Sequence, residues 1–159
     1  MSANAIKAFV FSLALVLPSF ASGQIISEKT KRHIFQGEIN RQGKAVGCHH
    51  IFAITKYKTS QLVDKSRKNG PKDIFKAKVK VKDENGRWIA KVSNQGFSTF
   101  YPESWNENKT LEAILEAYHT KRKVNGELWE GKCKEGIIIQ MYVKSDGSIA
   151  SAFPKDWTR

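Results

Sequence analysis

Three of the chain's four histidines fall close together, at His33, His49 and His50. They sit in a polar stretch punctuated by glycine: His33-Ile34-Phe35-Gln36-Gly37-Glu38, then Val46-Gly47-Cys48-His49-His50. Imidazole titrates near neutrality, so a pair can give and take protons at working pH. Cleavage of a ribose phosphodiester needs such a pair. A base removes the 2′-hydroxyl proton, an acid protonates the departing 5′-oxygen, and a cation offsets the charge that builds at the phosphate. Two histidines and a lysine meet those needs. At this spacing they also occur as structural or surface groups, so the residues alone leave both readings open.

Cys48 between Gly47 and His49 raises the option of a thiol nucleophile. Attack by a 2′-hydroxyl needs no enzyme nucleophile, so Cys48 reads as structural, or as half of a bridge to Cys133. The two cysteines can close one long loop or remain as two buried thiols. Zinc held by Cys48, His49, His50 and Cys133 matches no common ligand spacing. No carboxylate cluster suggests a dedicated metal site.

These residues belong to a chain long enough for one domain and little more. It has 159 residues, 40% of them hydrophobic and 11% aromatic, which supports a packed core. Lysine and arginine number 27 against 15 acidic residues, a formal charge of +12. Such a field attracts polyanions without saying whether RNA, DNA, anionic lipid or acidic glycan is meant.

Met1 to Lys7 carries one positive charge, Ala8 to Leu17 is uncharged and apolar, and Pro18 to Gly23 supplies a break and small residues. That layout predicts a secretory signal peptide over residues 1–23, too short for a comfortable transmembrane span. Cleavage after Gly23 removes only Lys7 among the charges and leaves a mature domain, 24–159. The expected location is secreted or periplasmic, with no membrane association after cleavage.

The elements that must position the site follow from periodicity. Residues 24–32 read as a polar, basic lead-in. Lys65 to Lys72, with Asn69-Gly70-Pro71, reads as an exposed basic loop. Phe75, Ala77, Val79 and Val81 alternate with Lys76, Lys78, Lys80 and Lys82, a strand with one apolar face and one basic face. The basic face is either solvated or part of an RNA track. Asp83-Glu84-Asn85-Gly86 turns the chain, and Trp88 to Val92 returns as the partner strand. Asn106 caps a helix whose stripe is Leu111, Ile114, Leu115 and Tyr118; Lys121 to Lys123 close it and Asn125-Gly126 end it. Leu128 to Lys134, Ile137 to Val143 and Ile149 to Phe153 read as strands. The sum is α+β: antiparallel hairpins and sheets packed with one or more helices.

With these pieces in order, a resemblance emerges. His33-Ile34-Phe35-Gln36-Gly37-Glu38 resembles the opening motif of the EndoU endoribonucleases, and Gly47-Cys48-His49 resembles their Gly-x-His. Ser98-Thr99-Phe100-Tyr101-Pro102, followed by Trp105 and an Ala- and Glu-rich helix, is similar to bacterial members. Met141 to Gly147 and Ser151-Ala152-Phe153-Pro154 resemble the family's last hairpin. The resemblance runs from His33 to Trp157, nearly the whole mature chain.

The resemblance implies an EndoU-like fold and a metal-independent endoribonuclease that cleaves single-stranded RNA at uridines and leaves 2′,3′-cyclic phosphate ends. It implies His49 as general base and His33 as general acid, with His50 the rival for the second position. It implies a catalytic lysine before Ser98-Thr99: Lys91 is the choice, Lys78 and Lys80 the rivals. Ser151 matches the residue at the uracil edge. Phe153 departs from the tyrosine of many relatives; it can stack on a base but not hydrogen-bond through a hydroxyl, which loosens uridine preference. Some animal and viral members depend on manganese; bacterial ones often do not, and no cofactor is expected here. The family includes bacterial toxins, so an exported toxin with an acidic immunity protein is one expectation, a periplasmic scavenging nuclease another. The rival class is a non-catalytic exported domain that binds nucleic acid and tolerates loss of His33 and His49.

Overall fold

The computed structural model describes residues 25–158. The expected export signal over residues 1–23 lies outside the described residues. The first described helix, α1 (Glu28–Phe35), begins inside the segment 24–32 that reads as a polar, basic lead-in. Ser27 caps it by accepting from the Thr30 amide, Glu28 supplies an acid in its first turn, and Ile34 and Phe35 are buried. The polarity of this short helix hid its period: it buries only one narrow side. Its last turn carries His33.

A small hairpin follows, β1 (Glu38–Ile39) with β2 (Ala45–Val46), and then a one-turn helix α2 (Phe52–Thr55). The long strand β5 (Phe75–Lys82) organises the first half of the fold. Its start pairs with β4 (Lys68–Asn69) and β7 (Phe97–Phe100); its end pairs with β3 (Ser60–Leu62) and β6 (Trp88–Ala90), all antiparallel. The basic loop expected over 65–72 thus contributes a short strand and a 3-10 turn (Pro71–Asp73). Phe75, Ala77, Val79 and Val81 are buried as their alternation demands. The basic face departs from expectation at Lys76, which is buried and ion-paired to Asp156 at 3.0 Å.

Helix α3 (Glu107–His119) is capped by Asn106, whose side chain accepts from the Lys109 amide. It ends sooner than its sequence suggests. Arg122–Asn125 forms strand β8, and Asn125-Gly126 turns β8 into β9 (Leu128–Lys132) instead of stopping the helix. Strands β10 (Ile138–Val143) and β11 (Ile149–Pro154) complete a meander in the order β11-β10-β9-β8. Helix α3 lies directly on β9: a Cβ on Gly131 would sit 1.8 Å from the Ala117 carbonyl oxygen, so only glycine admits this approach.

One hydrophobic cluster joins α1, α3 and the β8–β11 sheet, around Ile34, Ile114, Ile139, Met141 and Ile149. The other lies under β5 and α2, around Cys48, Ala53, Phe75, Val79 and Phe100. Within the first cluster Thr30 Oγ1 donates to the Ile149 carbonyl (2.6 Å), and between the two halves Thr99 Oγ1 donates to the Pro154 carbonyl (2.6 Å). The architecture is α+β, with antiparallel sheets and three helices among the described residues.

Candidate active site

The C-terminal end of α1 seats the segment that follows β2. The Cys48 amide donates to the His33 carbonyl (3.0 Å) and the His49 amide to the Ile34 carbonyl (2.8 Å). Two helix-end carbonyls that would otherwise lack partners are thereby satisfied. Gly47 makes this possible. Its φ is +75°, and a Cβ there would lie 2.2 Å from the His33 carbonyl oxygen. The backbone clamp brings the two imidazoles to 6.1 Å between ring centroids.

His49 is 6% exposed. Its Nδ1–H donates to the Thr99 carbonyl at 2.9 Å. A carbonyl oxygen only accepts, so this bond fixes the proton on Nδ1 and leaves Nε2 as a lone-pair acceptor. Burial first, then the nearby Lys91 and His33, hold its pKa well below the ordinary 6.5. The ring is therefore neutral at pH 7, the form a general base needs. His33 faces a different partner: Nδ1–H donates to the Glu38 carboxylate at 3.0 Å. Burial lowers its pKa, and Glu38 works against that lowering by favouring the imidazolium.

Lys91, just beyond β6, enters from the other side. Its Nζ donates to Ser98 Oγ (2.7 Å) and to the Gly47 carbonyl (3.2 Å), and Ser98 Oγ donates to the same carbonyl (3.0 Å). Desolvation brings its pKa down to about 8. The ammonium stays the dominant form at pH 7 but carries little hydration, so it is poised to meet an anion.

From the final hairpin come Ser151 and Phe153. The Phe153 ring stacks on His49 with centroids 5.0 Å apart. Opposite them on β10 stand Tyr142 (paired with Ser151) and Gln140 (paired with Phe153). All these groups line one cleft of about 570 Å³, with Asn94, Phe97, Lys155 and Asp156 at its edges.

The structure thus brings His33, His49, Lys91, Ser151 and Phe153 together. The rivals fall elsewhere. His50 is fully buried; its Nε2–H donates to the Trp105 carbonyl (3.1 Å) and its Nδ1 accepts from the Phe52 amide (3.2 Å). With both nitrogens committed between Phe35 and Phe52, it is a core residue and not a rival to His49 in the cleft. Lys78 and Lys80 do not line the cleft. Cys48 and Cys133 are both free and buried in different hydrophobic clusters, in place of the bridge considered from sequence. Burial pushes the Cys48 thiol up to about 11, which argues against a thiolate nucleophile.

Glu38, Gln140, Tyr142 and Asn94 were not singled out from sequence. Glu38 stood in the motif beside His33, and Gln140 and Tyr142 alternate with the core residues Ile139 and Met141, a period-2 signal for a shared open face. Outside the cleft, Glu116, Cys133 and Glu135 place ligand atoms within 4.8 Å of one another. Glu116 is already paired with Lys134 and Glu135 with Lys109.

Comparison with known proteins bears on this geometry. The family description "Bacterial EndoU nuclease" matches residues 27–156. A protein of Bacillus cereus named "Toxin" is 38% identical over 128 residues, covering 80% of this chain and 22% of that protein. The chain thus spans under a quarter of its relative's length. No solved structure matches the chain.

Proposed function

The chain belongs to the bacterial EndoU nuclease family, and from that premise we propose that it is a secreted endoribonuclease that cuts single-stranded RNA at uridines. His49 Nε2 takes the proton from the ribose 2′-hydroxyl. The 2′-oxygen attacks phosphorus, and the P–O5′ bond breaks. His33, protonated with help from Glu38, gives its proton to the departing 5′-oxygen. The products are a 2′,3′-cyclic phosphate and a 5′-hydroxyl end. Lys91 stabilises the charge that accumulates on the phosphoryl oxygens. Ser151 meets the uracil edge, and Phe153 stacks on the base. No metal takes part in these steps.

The observation that carries this reading is the forced tautomer of His49. A main-chain carbonyl holds its Nδ1 proton, and the residue lines a cleft shared with His33 and Lys91. The name of the Bacillus cereus relative and the expected export signal support a toxin aimed at RNA of another cell. An acidic immunity protein fits the net charge of +12.

The test is incubation with a short uridine-containing RNA in EDTA, beside a His33→Ala/His49→Ala variant. Cyclic phosphate ends from the wild type alone, with a loss of at least about 10³-fold in the variant, are expected. Tight, salt-sensitive binding without cutting by both proteins, manganese added or not, would replace the enzyme with a binding module.

A further inference from the structure

We propose that Phe97, Lys68 and Lys78 form a second nucleotide subsite beside the cleft, taking the base and phosphate of an RNA nucleotide that flanks the one cut. This rests on the RNA reading above and extends it beyond the cleft that holds the histidines.

The argument begins with strand register. In the sheet made by β4, β5 and β7, Lys68 stands opposite Lys76, and Lys78 stands opposite Phe97. The three ammoniums converge on one ring: Lys68 Nζ lies 5.7 Å, Lys76 Nζ 5.5 Å and Lys78 Nζ 5.6 Å from the Phe97 centroid. Like charges placed directly across a sheet repel. Only Lys76 is relieved, by its buried pair with Asp156 and a hydrogen bond to Thr158. Lys68 and Lys78 are exposed. Among the described residues, neither meets a carboxylate within ion-pair distance.

Gly96, with φ at +87°, leads the chain into Phe97 beside the aliphatic stem of Lys78; a Cβ there would meet Lys78 Cγ at 3.6 Å, an ordinary contact. Phe97 itself lines the cleft together with Asn94 and Lys91. A ligand that leaves the cleft over Phe97 therefore meets an aromatic face first and two unpaired ammoniums around it. Single-stranded nucleic acid offers a matching pair of groups, a base for the ring and a phosphate for the cations. At the far end of β5 the pattern is different: Lys82 sits alone over Trp88. Of these two rings, Phe97 is the one that lines the cleft.

The experiment measures binding of fluorescein-labelled deoxyuridine oligonucleotides, a dinucleotide and a decamer, which lack the attacking hydroxyl and cannot be cut. It compares the full chain with Lys68→Gln/Lys78→Gln, with Phe97→Ala, and with Lys58→Gln/Lys82→Gln. The last pair is exposed and removes the same charge; Lys82 lies about 13 Å from Lys78 along β5, and Lys58 precedes β3, next to Thr59, whose carbonyl accepts from the Lys82 amide. The Lys68/Lys78 variant is expected to weaken decamer binding about tenfold and to flatten its log–log salt slope by about 0.7, for the one phosphate that the subsite holds. Dinucleotide binding should change less than about twofold. Phe97→Ala should weaken the decamer with the salt slope kept.

An unchanged slope would overturn the proposal and leave the patch to an acidic protein. A control pair that weakens the decamer equally, or equal weakening of dinucleotide and decamer, would overturn it too. Cutting is scored separately with a uridine decaribonucleotide. Decamer binding without cutting by the wild type would refute the nuclease reading and leave the subsite standing.

Discussion

Replacing Glu38 with glutamine isolates what the carboxylate does for His33. The amide oxygen of glutamine can still accept from Nδ1, so the ring keeps its orientation. What disappears is a negative charge 3.0 Å from the ring nitrogen. Burial is the larger influence on His33 and lowers its pKa; Glu38 opposes it, while Lys91 and Lys29 reinforce it. The Glu38 side chain is 32% exposed, so water screens part of the interaction. A charge-assisted bond in such a setting is worth about 1–2 kcal/mol. At about 1.4 kcal/mol per pH unit, the pKa of His33 should fall by about one unit. The protonated ring is the form that donates to the leaving oxygen. Above its pKa the variant therefore has about tenfold less active acid, while well below it the two enzymes converge. The assay is kcat/KM on a uridine-containing RNA from about pH 4.5 to about pH 8.5. The alkaline limb should move about one unit towards acid, with little loss at the acidic end. A uniform loss at every pH would mean that Glu38 only positions the ring. An unmoved limb would mean that His33 is not the acid.

Lys91→Met should lower kcat by about 10²–10³-fold, as removal of one preorganised donor does elsewhere. It should also change stability against pH. The folded ammonium releases its proton near pH 8, the unfolded one near about 10.4. Between those values the unfolded chain binds more protons, so wild-type stability rises with pH in that window, and the variant should lose that rise in urea titrations. Gly47→Ala should cost about 2 kcal/mol or more by thermal unfolding, because its Cβ would overlap the His33 carbonyl. Gly43→Ala is the comparison. Its φ is +72° with nothing within 4 Å, so it carries only the backbone cost of about 1 kcal/mol; equal losses would remove the steric argument. Binding of a non-cleavable oligonucleotide should take up protons near neutrality, since a phosphodiester stabilises the charged form that burial disfavours on His33. Calorimetry in two buffers of different ionisation enthalpy reads this directly, and identical heats would refute it.

Long-period signals were legible in the sequence. The alternation along β5, the cap and stripe of α3, and three of the four strands of the final meander each repeat a clear apolar–polar pattern. What escaped was short or decided by packing. Helix α1 spans Glu28–Phe35 and is mostly polar, so its amphipathic period has too few turns to stand out. The end of α3 was misjudged because Asn125-Gly126 serves a hairpin as well as it serves a helix stop. The choice falls to β9, which recruits Arg122–Asn125 as its edge partner. Lys76 looked like every other lysine on its face until Asp156, from the far end of the chain, reached it.

For the site, the side chains were legible and the atoms that set their states were not. His33, His49, Lys91, Ser151 and Phe153 were named from motif resemblance, and the fold brings them to one cleft. The tautomer of His49 depends on the carbonyl of Thr99, an atom every residue possesses and no motif can mark. The same holds for Lys91, which rests on the carbonyl of Gly47, and for the clamp of Cys48 and His49 onto the last carbonyls of α1. Main-chain acceptors cannot be deleted by substitution, and they tie the ionisation of each side chain to the assembly of both halves of the fold. Thr99 belongs to the β5 sheet and donates its own hydroxyl to Pro154 of the other sheet. The tautomer of His49 therefore depends on a strand of the β5 sheet that is itself tied to the other sheet, and a partly folded chain holds the same histidines without these acceptors.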